Sequence, residues 1–214
     1  MAKRILILAS GTGSLAAAIL QSIQDRELDL EVARVISDRP APVLDLVKKF
    51  GVASTLVEYS KFESRAAWSA QMENVVASDK VDLVVSVGFM RILPASFIEK
   101  FSIINIHPAL LPLFPGAHAI RDALLAGATE SGTTVHWMDS GVDTGKVISQ
   151  IKVQVEVGDT EESLHERIKI QERNLIVETL KRYAHVGLEK EERNEFPETN
   201  SQSAYQCLRQ DRAY

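Results

Sequence analysis

The sequence predicts an α/β fold, a doubly wound, mostly parallel sheet that closes with an antiparallel strand and a long helix. Short apolar runs such as Ile5 to Ala9, Val81 to Val87 and Ile103 to Ile106 stop at Gly, Pro or polar turns, as strands buried on both faces do. Segments with apolar residues at helical spacing alternate with them, the rhythm of βαβ units. The 214 residues are 45% apolar and 25% charged, which fits one globular domain with an extension.

Each element has a local reason. Ile5 to Ala9 ends at Ser10-Gly11-Thr12-Gly13, and Ser14 to Ile23 opens a helix directly behind the glycines. Glu31 to Ser37 is the second strand, closed by Asp38-Arg39-Pro40. Val43, Leu46, Val47 and Phe50 share one face of a helix that Gly51 stops. Val52 to Val57 is a strand, Phe62 to Ser78 a helix, Val81 to Val87 the most apolar strand, Phe97 to Phe101 a short helix and Ile103 to Ile106 a strand. Three prolines then break the rhythm from His107 to Gly116, and a loop of this kind inside a compact domain is usually functional. His118 to Ala126 is helical, and Thr133 to Met138 and Lys146 to Val155 alternate like half-exposed strands. Thr160 caps a final helix to Tyr183, with Glu161 and Glu162 suited to its positive end. Residues 1–186 form one domain, and 187–214 read as a polar C-terminal extension.

Composition narrows the function. A net charge of −5 argues against nucleic-acid binding, although a few local cations would still hold an anionic ligand. Cys207 is the only cysteine, so no intrachain disulfide forms. The longest apolar stretch, Val81 to Ile92, contains Asp82 and Arg91 and is too short to span a bilayer. No signal peptide follows Met1, so a cytoplasmic protein is expected.

Four constellations can carry chemistry. The strand–Gly11-Thr12-Gly13-Ser14–helix junction lets the backbone approach a phosphate, and the Ser10 and Ser14 hydroxyls add donors. Gly11, Gly13 and Ala16 also satisfy a dinucleotide fingerprint with Asp38 at the ribose position, so an NAD-dependent oxidoreductase competes. Gly141 to Lys146 is too short for a Walker loop, and Val147 stands where Ser or Thr is needed. Asn105 and His107, two apart on a strand, project to one side, where an amide donor and an imidazole can polarise a carbonyl. Neither His118 nor His136 has ligand spacing to His107, and no metal is expected. Asp143, inside Gly141 to Gly145, either shapes an Asx-turn or orients an imidazole. Gly88 to Pro94 leaves the strongest strand with apolar residues that are either core or the wall of a pocket for a flat heteroaromatic ring. Arg65 reads by default as a solvated helix charge.

Together, Ser10 to Ser14, Gly88 to Leu93, the Asn-Ile-His-Pro-Ala-Leu-Leu-Pro block at 105–112, Gly132 to His136 and Asp143 resemble the folate-dependent formyltransferases, in their glycinamide ribonucleotide branch. The resemblance covers about residues 3–185. It implies a Rossmann-like formyltransferase fold, 10-formyltetrahydrofolate as co-substrate, and formyl transfer to the amine of 5-phosphoribosylglycinamide in de novo purine biosynthesis. By the same resemblance Asn105, His107 and Asp143 are catalytic. Gly11, Thr12, Gly13, Ser14, Leu15 and Glu172 meet the ribonucleotide. Arg65, Met90, Arg91, Ile92, Leu93, Asn105, Val142 and Asp143 meet the folate. Leu15 departs from the family's usual Asn, and Arg173 from its usual His. The expected mechanism is direct amine attack through a tetrahedral intermediate. Asn105 and protonated His107 would stabilise the oxyanion, while Asp143 would raise the imidazole pKa and assist proton movement. Partners are small molecules, with neither nucleic acid nor membrane, and a homodimer is left open. A folate-binding scaffold without activity is the remaining alternative.

Overall fold

Lys3–Leu8 (β1) is the centre of the molecule, and its alternation divides the core. Ile5 and Ile7 face one apolar cluster, and Leu6 and Leu8 face another; all four are fully buried. A strand buried on both faces needs helices on both faces, and the chain supplies them. Ser14–Gln24 (α1) and Val43–Lys48 (α2) cover the first face, together with the long closing helix Glu161–Val186 (α6). Arg65–Ser78 (α3) and Ala95–Lys100 (α4) cover the second through Trp68, Met72, Val76 and Phe97. Ala119–Leu125 (α5) packs through Ile120 on Leu164 and Ile168 of α6. Truncating an anchor such as Trp68 or Phe97 to Ala would cost about 3–5 kcal/mol. The structure is a computed structural model that describes residues 2–188, so the extension expected at 187–214, with Cys207, lies outside it from residue 189 on.

Leu30–Ser37 (β2), Ser54–Leu56 (β3), Leu83–Ser86 (β4), Ile103–His107 (β5), Glu130–Trp137 (β6) and Val147–Gln154 (β7) complete one sheet in the order β3-β2-β1-β4-β5-β6-β7. β1 to β5 pair in parallel, and β6 pairs antiparallel with both β5 and β7. β6 alone therefore runs against the rest, the single antiparallel element expected. From β1 the chain winds outward to β2 and β3, then returns to β4 on the other side. This reversal opens a crevice beyond the carboxyl ends of β1 and β4, where open α/β sheets bind their ligands.

Boundaries moved where side chains took over from periodicity. Ser64 accepts a hydrogen bond from Ala67 N and starts α3 at Arg65 rather than at Phe62. Thr160 and Ser163 cap α6 reciprocally, an arrangement that contributes about 1 kcal/mol. Among the described residues, no helix is long and apolar enough to cross a membrane.

Candidate active site

At the crevice, Gly13 (φ 86°) is the N-cap of α1, and it offers no side chain to the N–H groups of the first turn. With no acidic residue there either, the helix start keeps its positive end open toward an anion. The left-handed φ requires glycine, and a Cβ at Gly13 would also meet Val43 Cγ2 at 2.6 Å. Gly11 differs: a Cβ there meets nothing within 4 Å. Gly11 to Leu15 line one wall of a cleft of about 300 Å³, and Gly88, Met90, Pro108 and His118 line others.

The floor comes from α6. Glu161, His165, Lys169 and Glu172 recur at helical spacing and all reach the cleft. Of these only Glu172 was expected from the sequence; the stripe itself was visible in the i, i+4 pattern, but not its docking. Glu172 is 6% exposed, and burial pushes its carboxyl up to about 7 against the opposing charges of Lys169 and Arg173. Burial, with Lys169, holds His165 below the ordinary imidazole range.

Ser10 corrects an expectation. Its hydroxyl donates to Asp38 Oδ1 and accepts from Met90 N at 3.0 Å, so it is not aimed at a ligand. Asp38 has a fully buried side chain, and its second oxygen accepts from Arg91 Nε and the Arg39 guanidinium, both at 3.0 Å. Burial alone would raise its pKa, but the bonds from Arg39, Ser10 and Arg91 prevail and hold it low. A carboxylate so occupied has no lone pair left for a ribose diol, which removes the dinucleotide reading of this position.

The segment after β4 joins two expected groups. Arg65 donates to Ile92 O at 2.9 Å, placing the α3 terminus beside Met90 to Leu93. Met90 (66% exposed), Ile92 (64%) and, in the β6–β7 loop, Val142 (51%) leave large apolar surface uncovered. Leu93 instead lies in the second core cluster, so only its backbone can meet a ligand.

The alternation of β5 places Asn105 and His107 with Ile103 on the α3–α4 face, away from Ile104 and Ile106. Asp143 lies against them. Its Oδ2 is 3.3 Å from His107 Nδ1 and accepts from Gly116 N at 2.8 Å, and its Oδ1 is 3.5 Å from Asn105 Nδ2. The three residues expected from separate motifs therefore meet. His136, which sequence reasoning set aside, is a fourth member: it pairs with Asn105 across β5–β6, and its Nε2 is 3.3 Å from Asn105 Nδ2 and 3.5 Å from Asp143 Oδ1. No local spacing shows this, because it depends on the reversed strand.

Backbone carbonyls fix both imidazoles. His107 Nε2 donates to Phe114 O at 2.8 Å and His136 Nδ1 to Trp137 O at 2.9 Å, which turns the other nitrogen of each toward Asp143. Burial would raise the Asp143 pKa, but His136, His107 and the Gly116 N–H bring it to about 2. Asp143 raises the His107 pKa, as expected, but burial outweighs it. Burial lowers the imidazole pKa more than Asp143 and Phe114 O together raise it, so His107 lies below the ordinary imidazole range despite the carboxylate beside it.

A family model for formyl transferases matches residues 3–180. The chain belongs to the formyl transferase family. Within this family it is similar to a phosphoribosylglycinamide formyltransferase of Mycobacterium tuberculosis, 44% identical over 179 residues and 81% of each chain. It is also similar to a trifunctional purine biosynthetic protein of Drosophila melanogaster, 39% identical over 171 residues, which cover 78% of this chain and 13% of that one. A glycinamide ribonucleotide transformylase of Symbiobacterium toebii superposes with a TM-score of 0.83 at 38% identity, covering 86% of this chain and 88% of that one. The doubly wound, mostly parallel sheet predicted from the apolar rhythm is the one observed, and the formyltransferase fold that the resemblance implies is shared with this neighbour.

Proposed function

We propose that the chain transfers a formyl group from 10-formyltetrahydrofolate to the amine of 5-phosphoribosylglycinamide, a step of purine biosynthesis. One observation carries the reading: an anion-ready helix terminus and an Asn–His–Asp cluster reach the same sheet edge from opposite faces. The acceptor enters on the α1–α6 side, with its phosphate at Gly11 to Leu15 and its ribose near Glu172. The donor suits the other side, where exposed Met90, Ile92 and Val142 offer a wall to a flat ring and Arg65 a cation. The folate supplies a carbon at the formyl oxidation level.

The protein's part is polar positioning. Asn105 Nδ2 donates to the carbonyl oxygen as charge develops on it. Asp143, a carboxylate at neutral pH, takes the proton of the attacking amine as the new N–C bond forms. The tetrahedral intermediate then collapses by breaking the bond to the folate nitrogen, which takes up that proton and leaves as tetrahydrofolate. His107 places Nδ1 3.3 Å from Asp143 Oδ2, with its ring held by Phe114 O, and orients the carboxylate for this proton transfer.

The deciding assay measures formyl transfer from 10-formyltetrahydrofolate with 5-phosphoribosylglycinamide, and formate release without it. Transfer that depends on the acceptor is expected. Equal formate release with and without acceptor would make the protein a hydrolase, and no turnover with intact antifolate binding would leave a folate-binding scaffold.

A further inference from the structure

Asp38 is not itself among the proposed substrate-contacting residues, yet it joins the two sites. On the acceptor side, Ser10 precedes the glycine loop; its N–H donates to Gly88 O at 3.1 Å and its hydroxyl spans Asp38 Oδ1 and Met90 N. On the donor side, Asp38 Oδ2 accepts from Arg91 Nε at 3.0 Å. The Arg91 guanidinium lies 4.1 Å over the Tyr59 ring, and Tyr59 N donates to Asp38 O at 3.0 Å. Tyr59 meets Trp68 edge-on at 5.4 Å, and Trp68 stacks on Phe89 at 6.4 Å. Phe89 and Arg91 are thus held inward, while Met90 and Ile92 between and beyond them are left outward.

We propose that Asp38 is a positioning residue that locks Gly88 to Leu93 against the Ser10–Ser14 loop and so sets affinity for the formyl donor. This rests on the assignment of Met90 to Leu93 to the donor site. Without the charge of the carboxylate, Arg91 loses the ion partner that fixes its side chain, and the Ser10 hydroxyl keeps only a weaker, neutral acceptor. The segment then samples orientations in which Met90 and Ile92 no longer form one wall. Asp143, Asn105 and His107 sit on other elements, so the chemical step itself is untouched.

The test is Asp38→Asn, of equal size and still able to accept from Ser10, assayed with Ser10→Ala as a second variant that breaks the other arm. A charge-assisted hydrogen bond lost in this way raises the donor KM by about 10-fold or more. The kcat should stay within about 2-fold, and the acceptor KM should rise by less than the donor KM, since of the freed segment only Gly88 and Met90 line the acceptor's cleft. In an Arg91→Gln background the Asp38→Asn effect should vanish, as a double-mutant cycle requires of coupled residues. Hydrogen exchange of the unsubstituted protein with an antifolate separates the two levels. If the antifolate protects Met90 to Leu93 but both variants keep a normal donor KM, Asp38 is not a positioning residue. If it leaves that segment unprotected, the donor assignment fails and takes this inference with it. Equal loss of kcat in both variants with unchanged KM values would mark a merely structural role and overturn the proposal.

Discussion

Asn105 and His136 stand opposite each other in the β5–β6 ladder, with Asn105 Nδ2 3.3 Å from His136 Nε2, and Asp143 lies within 3.5 Å of both. Their charges are unequal partners. The carboxylate stays ionised at neutral pH, because His136, His107 and the Gly116 N–H outweigh the burial that would raise its pKa.

Asp143→Asn should lower kcat by about 10²–10⁴-fold, the range for a general acid–base group. The loop should keep its shape, because Asp143 has φ 55° and Asn tolerates that conformation as well as Asp. Removing the charge that raises the His107 pKa should lower that pKa further, which NMR titration of both proteins measures. Normal turnover would return Asp143 to loop-shaping.

Glu172 makes stability depend on pH. Its folded pKa of about 7 exceeds the unfolded value, so the native state binds more protons than the unfolded one between about 4.5 and 7. Stability of the free protein should therefore fall as pH rises through that window. Glu172→Gln should flatten the fall and raise Tm at pH 8, while raising the acceptor KM. An unchanged Tm–pH profile would contradict the buried, unpaired carboxyl.

Gly11 and Gly13 should respond differently to alanine. At Gly13 a methyl meets Val43 and a left-handed φ, costing about 1–3 kcal/mol in Tm-derived stability. At Gly11 the methyl enters open space, so the fold should survive while the acceptor KM rises and the donor KM does not. Parallel changes in both KM values for Gly11→Ala would move the phosphate elsewhere.

Arg65→Ala should raise the donor KM several-fold with little change in Tm, since an exposed hydrogen bond contributes about 0.5–1.5 kcal/mol. Calorimetric titration with an antifolate checks it, and equal affinity for both proteins would restore Arg65 to a solvated helix charge.

What the sequence carried was local. The apolar run Ile103 to Ile106 placed Asn105 and His107 on one side of a strand, and the glycines placed a helix terminus at its end. What it withheld depends on pairing. Ser10 read as a ligand donor because nothing in its neighbourhood shows that Asp38, beyond a helix and a strand, takes its hydroxyl. His136 read as an ordinary strand residue because its neighbours Asn105 and Asp143 arrive only when β6 reverses. The charges of α6 were visible as a helical stripe, but only the packing of α6 on α1 aims them at the cleft.

The reversed strand also determines which kinds of sequence change the chemistry tolerates. Ile104 faces Trp137, Asn105 faces His136 and Ile106 faces Val135, and on the other edge of β6 the ladder shifts between Val135 and His136. Imidazole is thus delivered by counting along a strand, and a single-residue deletion between Glu130 and Val135 would present Trp137 in its place. Insertions and deletions in β6 should therefore be rarer among working relatives than substitutions at its outward positions, and the length of this strand is as much a part of the active site as any side chain on it.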